Sequence, residues 1–431
     1  MSFSCDVLII GSGMGGMCSA ALLANEGYKS LVAERLYRIG GRCSSFESQG
    51  FICTTGVIGV ELGGIVEEVF SRVHADFQVR PAGPVHILIQ DKPYEIPPKG
   101  ALKRLLSVAS GDAGEVERVL DAFSHAREWL KPTRGLSLRE WLLQYTENET
   151  ILGIFQTMIC ATLLINADEI PASEYFRFIK RLGGISRFGF CPEGSGALPN
   201  ALAQRIRELG GAIWTGSSVK RILSHGGVVR GALVLTKEGE IEVWAKIVIS
   251  NTGPRKTVEL SGKEHFDRKY LMELEQKAQP AAVIALQIAA EEPLIDYPSL
   301  MVTGTRRINA LYQPTTVCPE LAPSGKHMLM AGGGPIASVP PFKKKKEIGL
   351  CIEDLEDLIP DLQKRARILK SGFYHGRWPG MHCWPGNDLP HKTPIENLYN
   401  VGDGAKPAGT TGLPSVAASA LGLVEDIKMG M

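Results

Sequence analysis

Long apolar segments are missing from this 431-residue chain. No run reaches the roughly eighteen apolar residues that a membrane-spanning helix needs. The longest apolar stretch, residues 151–165, contains Gln156 and Thr157, and we interpret it as a buried helix. The first apolar run, residues 7–10, has the length of a strand, so we expect no secretory signal peptide.

The chain also lacks an excess of either charge, since 47 Lys and Arg residues face 46 Asp and Glu residues. This balance gives no bulk electrostatic reason to expect a nucleic acid partner. The nine cysteines are scattered, without Cys-x-x-Cys pairs or zinc-ligand spacing. They indicate reduced thiols in a cytoplasmic protein, and we expect no metal site. The length exceeds one typical core, which predicts two domains.

A glycine-rich motif near the start of the chain is its most informative feature. Residues 7–10 are fully apolar, which predicts a buried parallel strand. The following glycines, Gly11, Gly13 and Gly16, have G-x-G-x-x-G spacing. The first allows a tight turn, the second lets a pyrophosphate approach the backbone, and the third lets the next helix pack closely on the strand.

The residues after these glycines complete a βαβ pattern. Residues 14–25 predict a helix whose N-terminal amides face the phosphates, and residues 30–33 predict a second strand. Glu34 ends that strand, where an acid accepts hydrogen bonds from ribose hydroxyls. The pattern predicts a dinucleotide site, and at this point both NAD and FAD fit it.

A second motif follows the acid directly and separates these two cofactors. Gly40, Gly41 and Arg42 place a glycine pair and a cation just after Glu34. This stretch resembles the extended fingerprint of FAD-dependent oxidoreductases of the phytoene desaturase, carotenoid isomerase and flavin amine oxidase group. The resemblance implies a loop beside the pyrophosphate and flavin of FAD, with Arg42 suited to the anion.

The resemblance continues in the middle and at the end of the chain. Residues 191–203 resemble a turn that opens a helix, which we place at 202–209, and residues 245–254 resemble the family's strand and turn. Residues 397–404 and 412–421 resemble the second FAD motif, a strand, an acid for the ribitol and a helix aimed at the flavin. The residues assigned to FAD in this way are Gly11, Ser12, Gly13, Met14, Gly15, Gly16, Glu34, Arg35, Gly41, Arg42, Val219, Gly402, Asp403, Gly412 and Leu413.

The resemblance implies an α/β fold, a Rossmann-like FAD/NAD(P)-binding three-layer domain with an inserted α+β substrate domain. The FAD-binding domain takes residues 1–75, 191–262 and 393–431, and the substrate domain takes 76–190 and 263–392. No covalent-flavin cysteine signature lies near the C-terminus, so FAD is expected to bind non-covalently.

Two local features of the first segment are also used below. The chain has Thr54, Thr55 and Gly56 where the family often has Asp-x-Gly, so the glycine is present and the acid is not. The residues after this turn, 58–73, predict one helix.

The resemblance implies a redox enzyme that acts on carbon–carbon bonds of an apolar, isoprenoid or alicyclic substrate. Desaturation, saturation and isomerisation all remain open, and His382 and Trp384 are the candidates for residues that face the flavin. An amine or amino-acid oxidase is the alternative, with Trp378 and Trp384 as its paired aromatics. A flavin-free carrier of lipid-modified partners is a third reading. No Ser-His-Asp set is visible as a rival centre.

The expected partners are an apolar small molecule and an unidentified electron acceptor or donor, with no nucleic acid. Residues 343–346 are four consecutive lysines at the predicted start of a helix. They are interpreted either as a solvated face or as a patch attracted to anionic lipid. The protein is therefore expected in the cytoplasm, with peripheral membrane contact as an alternative, and the sequence does not show its oligomeric state.

Overall fold

Two seven-stranded sheets form the framework of the protein. The computed structural model describes residues 2–128, 133, 135–182 and 187–430. The first sheet has the order β10-β2-β1-β13-β12-β11, with β19 paired to β13. Its strands are β1 (Ser2–Ile10), β2 (Ser30–Ala33), β10 (Ala212–Trp214), β11 (Ser218–His225), β12 (Val228–Thr236), β13 (Gly239–Ser250) and β19 (Leu398–Asn400).

The first sheet is covered on both faces where its central strands end, since residues 7–10, 30–33 and 247–250 are all buried. Val7 and Ile9 face one layer of helices, and Leu8 and Ile10 face the other. The first layer contains α1 (Met14–Asn25), α2 (Ile65–Arg72), α8 (Ala197–Glu208) and α13 (Gly412–Met429). The second contains α9 (Pro254–Ser261) and α10 (Arg268–Lys277). This is the three-layer arrangement that the sequence predicts.

The second sheet has the order β18-β14-β17-β16-β15-β7-β8. Its strands are β7 (His86–Ile89), β8 (Lys92–Glu95), β14 (Val283–Ala290), β15 (Ser299–Val302), β16 (Ile308–Tyr312), β17 (His327–Gly333) and β18 (Ala366–Tyr374). The helices α11 (Lys344–Leu358) and α12 (Leu362–Arg365) complete this half of the molecule. Ile284, Leu286 and Ile288 share one buried cluster with residues of α11.

A group of helices stands beside the second sheet and contains a separate apolar cluster. Ser137 caps α5 through a capping box with Glu140. The group consists of α3 (Ala101–Ala109), α4 (Ala113–Glu128), α5 (Leu138–Leu142), α6 (Glu149–Leu163) and α7 (Ala172–Leu182). No helix in the described part of the chain is long and apolar enough to cross a bilayer.

Two small sheets connect these halves. One is the hairpin of β3 (Ser45–Ser48) and β4 (Phe51–Thr54), and the other has the order β5-β9-β6. The strands of the latter are β5 (Val60–Leu62), β6 (Arg80–Pro81) and β9 (Arg187–Phe190). All strands of the first large sheet come from 1–75, 191–262 and 393–431, and those of the second from 76–190 and 263–392. The division into two domains at those boundaries stays a prediction.

Two predicted helices have different bounds in the structure. The helix predicted over 58–73 was wrong at its start, because β5 pairs with β9 and Gly63, at φ +72°, turns the chain before α2 begins at Ile65. The helix predicted over 202–209 begins five residues earlier, at Ala197. Pro199 lies in its first turn, where the missing N–H has no intrahelical partner to lose.

Candidate functional site

The candidate site lies at the point where the strand order of the first sheet reverses. Strand β1 has β2 on one side and β13 on the other, so the chain segments after these strands diverge from one edge. Such a point in an open α/β sheet leaves a crevice outside the carboxyl ends of the strands. Gly11 stands there with φ +92°, and its N–H donates to the Ala33 carbonyl at 2.8 Å.

The glycines of the first motif are packed around one side chain that the sequence prediction missed, Asn251. A Cβ on Gly13 would lie 2.5 Å from Asn251 Nδ2, and one on Gly15 would lie 2.9 Å from the Gly402 Cα. A Cβ on Gly16 would lie 2.3 Å from the Gly11 carbonyl oxygen. Asn251 follows β13 directly, so its place at the carboxyl edge was the signal that could have identified it.

The N-terminus of α1 is open to an anion. Its N-cap, Gly13, supplies no side-chain hydrogen bond, and its first turn contains no acid. Glu34 accepts hydrogen bonds from the Ser12 N–H at 2.8 Å and the Ser12 hydroxyl at 2.7 Å, which holds the acid beside the turn. Free helix N–H groups and the helix dipole both favour a phosphate at this position.

The glycine pair lies against this turn. The Gly40 N–H donates to the Ser12 carbonyl at 2.9 Å, and a Cβ on Gly41 would lie 3.3 Å from the Gly13 Cα. The loop therefore carries Arg42 to the centre of the site. The Thr55 hydroxyl donates to the Gly41 carbonyl at 2.9 Å, so Thr55 stabilises the loop.

Arg42, Asp403 and His382 form one charged cluster. Arg42 Nη1 lies 2.7 Å from one oxygen of Asp403, and His382 Nδ1 lies 2.8 Å from the other. Arg42 also donates to the carbonyls of Pro379 and Gly380. Burial raises the pKa of Asp403, but Arg42 and His382 outweigh burial and hold that pKa well below its ordinary value of 3.8. Asp403 is therefore a buried carboxylate at neutral pH.

Trp384 lies in the same loop as His382 but is held differently. Its backbone N–H donates to the Gln279 carbonyl at 3.1 Å, and its ring packs against the apolar cluster of the helical group. Its indole Nε1 is buried and has no hydrogen-bond partner in the described parts of the chain. The structure thus places His382 in the charged cluster and Trp384 at the edge of the helical core.

A buried lysine fastens this loop to the residues after Asp403. The side chain of Lys406 is fully buried and donates to the Asp403 carbonyl at 3.1 Å and the Cys383 carbonyl at 3.4 Å. It also forms an ion pair with Asp388. Burial raises the pKa of Asp388, and the lysine partly offsets this effect. The sequence prediction missed Lys406 and Asp388, which follow no motif.

The remaining residues predicted to bind FAD differ in their burial and position. Met14 and Leu413 are buried in the first turns of α1 and α13, and α13 also begins without a side-chain cap. Arg35 is exposed at the outer side of the Glu34 turn. Val219 lies two residues after Ser217, whose N–H donates to the Glu34 carbonyl at 2.7 Å, so it is near the ribose acid.

One set of serine, histidine and aspartate side chains lies close together, on α13 and the loop before β19. His391 Nε2 lies 3.3 Å from Ser419 Oγ, and His391 Nδ1 lies 3.3 Å from Asp426. The Ser419 hydroxyl is fully buried, donates to the Ala405 carbonyl and accepts the Gly402 N–H. It is therefore a structural connection between α13 and the Gly402 turn rather than a nucleophile.

Two concave regions lie at different distances from the charged cluster of Arg42, Asp403 and His382. A cleft of about 500 Å³ lies far from it, at the end of α1, with Asn25, Arg72 and Lys428 among its lining residues. A much smaller cavity adjoins the turn after β4, close to Arg42, whose carbonyl accepts the Val57 N–H at 2.9 Å. Its lining consists of Ile52, Thr54, Val57, Ile58, Phe190, Cys191, Ser195, Pro314, Leu321 and Met330.

The donor and acceptor groups of the site fit FAD. The uncapped N-terminus of α1 and the Arg42 guanidinium suit a pyrophosphate, and Glu34 suits a ribose diol. Asp403 is a carboxylate acceptor for a polyhydroxy chain, and the open start of α13 suits the electron-rich edge of a flavin. Within the described residues no cluster of three or more His, Cys, Asp or Glu side chains has the geometry of a metal site.

Comparison with known proteins agrees with this fit. The family of flavin-containing amine oxidoreductases matches residues 14–422. An uncharacterised protein of Methanocaldococcus jannaschii is 28% identical over 430 residues, which cover 97% of this chain and 98% of that one. The 15-cis-phytoene desaturase of Arabidopsis thaliana is 24% identical, with coverage of 93% and 76%.

A solved structure of an oxidoreductase is also similar to this chain. An oxidoreductase from Methanosarcina mazei superposes with a TM-score of 0.87 at 28% identity, over 97% of this chain and 100% of that chain. The match therefore covers nearly the whole chain. This chain belongs to the family of flavin-containing amine oxidoreductases and is an FAD-dependent oxidoreductase.

Proposed function

We propose that this oxidoreductase acts on carbon–carbon bonds of an apolar substrate, by desaturation, saturation or isomerisation. A relative that matches 93% of this chain is a 15-cis-phytoene desaturase, and this likeness carries the proposal. The cavity close to Arg42 has a volume of about 20 Å³, room for about one water molecule, and none of its ten lining residues is a carboxylate or a cation. Its two hydroxyl side chains already have partners: Thr54 donates to the Val57 carbonyl at 2.6 Å, and Thr54 and Ser195 lie 3.1 Å apart. Such a lining favours hydrocarbon and offers no counter-ion to an amine.

In this proposal the protein's own residues bind the cofactor and orient the substrate. Arg42 and Asp403 hold the two sides of the cofactor site, and His382 is fixed by Asp403 in one ring orientation. Bound FAD supplies a hydride acceptor and donor at its N5 atom. The apolar lining excludes water from the reacting bond. We assign His382 a positioning role and place Trp384 at the edge of the helical core, and FAD is held non-covalently.

An amine or amino-acid oxidase is the second candidate. The family name and the buried indole Nε1 of Trp384, which lacks a partner in the described chain, favour it. Trp378 lies in the same loop and would be the other aromatic residue. We prefer the first candidate because an amine substrate enters as a cation, and none of the residues that line the cavity is a carboxylate that could pair with it. An unidentified electron acceptor or donor completes either reaction.

Anaerobic mixing experiments distinguish the two candidates. The holoenzyme is mixed without oxygen with apolar polyenes or with primary amines, and the flavin absorbance is followed. Bleaching by a polyene supports desaturation, and reoxidation of the reduced enzyme by a polyene supports saturation. Polyene isomers that change without a net change in flavin absorbance support isomerisation. Bleaching by amines alone would contradict the proposal.

A substitution in the cavity tests whether the substrate binds there. Ile58 lines the cavity and is only half-buried. The variant I58N is expected to raise the KM for an apolar substrate by about tenfold, because a polar group then faces the hydrocarbon. The matched variant I58V retains an apolar surface and is expected to stay within about threefold of the wild type. Flavin content is measured for both.

A further inference from the structure

We propose that the loop of residues 335–342 and the four lysines after it dock onto the surface of an anionic lipid bilayer. The loop presents its apolar residues to the outside. Ile336 is 58% exposed and Val339 is 39% exposed, which makes them two of the eight large hydrophobic residues exposed in the described chain. Ser338, the polar residue between them, is buried. This is the reverse of the usual arrangement in a surface loop.

The inward position of Ser338 is fixed by hydrogen bonds. Its N–H donates to Glu169 at 2.7 Å, and its hydroxyl donates to the same carboxylate at 2.5 Å. Asn166 donates to the Pro335 carbonyl at 3.1 Å and to the Ser338 hydroxyl at 3.0 Å. Because the loop is held at its centre, Ile336 and Val339 cannot turn inward together without breaking this network.

The lysines add charge of one sign beside these apolar side chains. Lys343, Lys344, Lys345 and Lys346 are all exposed, and among the described residues no carboxylate lies within 4 Å of any of them. The next residue, Glu347, is buried and paired with Arg307, so it does not neutralise them. They also stand at the N-terminus of α11, where the helix dipole disfavours cations. Anions from outside the chain would relieve both repulsions.

Exposed apolar side chains next to unpaired cations match the interface of an anionic bilayer. The apolar residues enter the boundary of the acyl chains while the lysines meet the lipid phosphates. An acidic protein would satisfy the lysines but would not need the outward aliphatic side chains. We therefore commit to lipid as the partner.

The loop is connected to the rim of the functional site. A Cβ on Gly334 would lie 3.7 Å from the Ala282 carbonyl oxygen, at the start of β14. The neighbouring Ala281 exchanges backbone hydrogen bonds with Gly380 and Met381, and Arg42 donates to the Gly380 carbonyl. Docking here would place this rim towards the membrane. The proposal does not depend on the reaction proposed above.

Flotation of the full-length holoenzyme with lipid vesicles tests the proposal. Vesicles of equal parts phosphatidylglycerol and phosphatidylcholine are compared with vesicles of phosphatidylcholine alone. We expect binding to the anionic vesicles and its loss in high salt. The variant K343Q/K344Q/K345Q/K346Q is expected to bind about a hundredfold more weakly, and I336D/V339D about tenfold more weakly.

A matched variant separates the position of the charges from their number. K92Q/K220Q/K237Q/K263Q removes four exposed lysines elsewhere and is expected to bind like the wild type. Flavin content and melting temperature show that each variant is folded, and flavin reduction is measured separately from lipid binding. No binding of the wild type to anionic vesicles would overturn the proposal. Equal weakening by both lysine variants would overturn it as well, as would capture by an acidic protein with no lipid binding.

Discussion

At the scale of single residues, the pair of Arg42 and Asp403 is the electrostatic centre of the site. Asp403 is buried and Arg42 is about one-quarter exposed, so their attraction is only weakly screened by solvent. Removing one partner of such a pair leaves an uncompensated charge, which costs more than the pair itself contributes. We therefore propose that the pair links cofactor binding to the stability of the protein.

The variant R42M tests this link. We expect it to lower the free energy of unfolding by about 3 kcal/mol, because Asp403 then remains buried with only His382 as a partner. We also expect it to lose most of its FAD. Thermal melting and flavin absorbance measure the two effects. The control R80M breaks an exposed pair with Glu320, and its melting temperature should stay near that of the wild type. Equal behaviour of the two variants would contradict this account.

The lowered pKa of Asp403 predicts a pH dependence. A carboxylate with a lowered native pKa contributes stability that is fully present above its ordinary value of 3.8. That contribution is lost as the pH falls through the native pKa. The stability difference between the wild type and D403N should thus be constant from about pH 6 down to about pH 4 and shrink below. Urea unfolding at each pH measures it, and a difference that already shrinks near pH 6 would point to another group.

The assignment of individual residues to FAD stays a prediction, although the structure brings many of them together at one sheet edge. Gly13 and Glu34 follow from the spacing of a dinucleotide motif, whereas Arg42 and Asp403 follow from the resemblance to the flavoprotein family. Asn251 was missed although its place directly after β13 marked it, and Lys406 was missed because its role comes from contacts with the carbonyls of Cys383 and Asp403. No spacing rule records such contacts.

At the scale of elements, the first turn of α1 depends on the absence of side chains. A Cβ on Gly16 would lie 2.3 Å from a backbone oxygen, which cannot move without changing the Gly11 turn. By contrast, a Cβ on Gly153, within α6, would meet no atom within 4 Å. The same substitution should therefore have opposite effects at these two positions.

The variants G16A and G153A test this contrast. We expect G16A to lower the free energy of unfolding by more than about 2 kcal/mol and to prevent FAD binding. We expect G153A to raise the free energy of unfolding by about 0.5 to 1 kcal/mol, because alanine loses less backbone entropy in a helix. Urea unfolding with flavin absorbance measures both. A G16A protein that retains FAD at wild-type affinity would contradict the close packing described above.

The elements themselves were predicted well where a local signal marks both ends. The helix over 14–25 and the strand over 30–33 were confirmed residue for residue. The prediction of a helix at residues 58–64 was wrong, because β5 forms only by pairing with β9, about 125 residues later in the chain. Local pattern cannot show such a distant partner.

At the scale of the whole molecule, one glutamine side chain joins the two halves. Gln287 is buried in the second large sheet, accepts the Thr54 N–H at 3.0 Å and donates to the Thr54 carbonyl at 2.7 Å. Thr54 ends the hairpin that leads to the Arg42 loop. This pair of bonds therefore fixes the second sheet relative to the cofactor site.

The variant Q287M tests this connection. Methionine preserves the volume but leaves a buried N–H and a buried carbonyl unpaired, so we expect a loss of about 2 to 4 kcal/mol in the free energy of unfolding. The control L286M changes the adjacent residue, which faces the opposite side, and should cost less than about 1.5 kcal/mol. Calorimetry measures both. A Q287M protein as stable as L286M would show that other contacts hold the halves together.

The overall architecture was predictable because residues 11–42, 191–203 and 397–421 resemble motifs of one flavoprotein family, and the resemblance implies its fold. The three-layer first sheet and its helices were confirmed. The connection through Gln287 was not foreseen, because a buried glutamine in an apolar strand carries no motif. Substrate identity also lies beyond motif analysis, since apolar cavity residues resemble any other core residues.

The central claim is that this chain binds FAD non-covalently and uses it for redox chemistry. An absorption spectrum of the purified protein, followed by acid precipitation, tests it most directly. We predict a flavin spectrum and a yellow supernatant that contains FAD. A colourless protein that cannot be reconstituted with FAD would contradict the claim, and colour that remains in the pellet would contradict non-covalent binding.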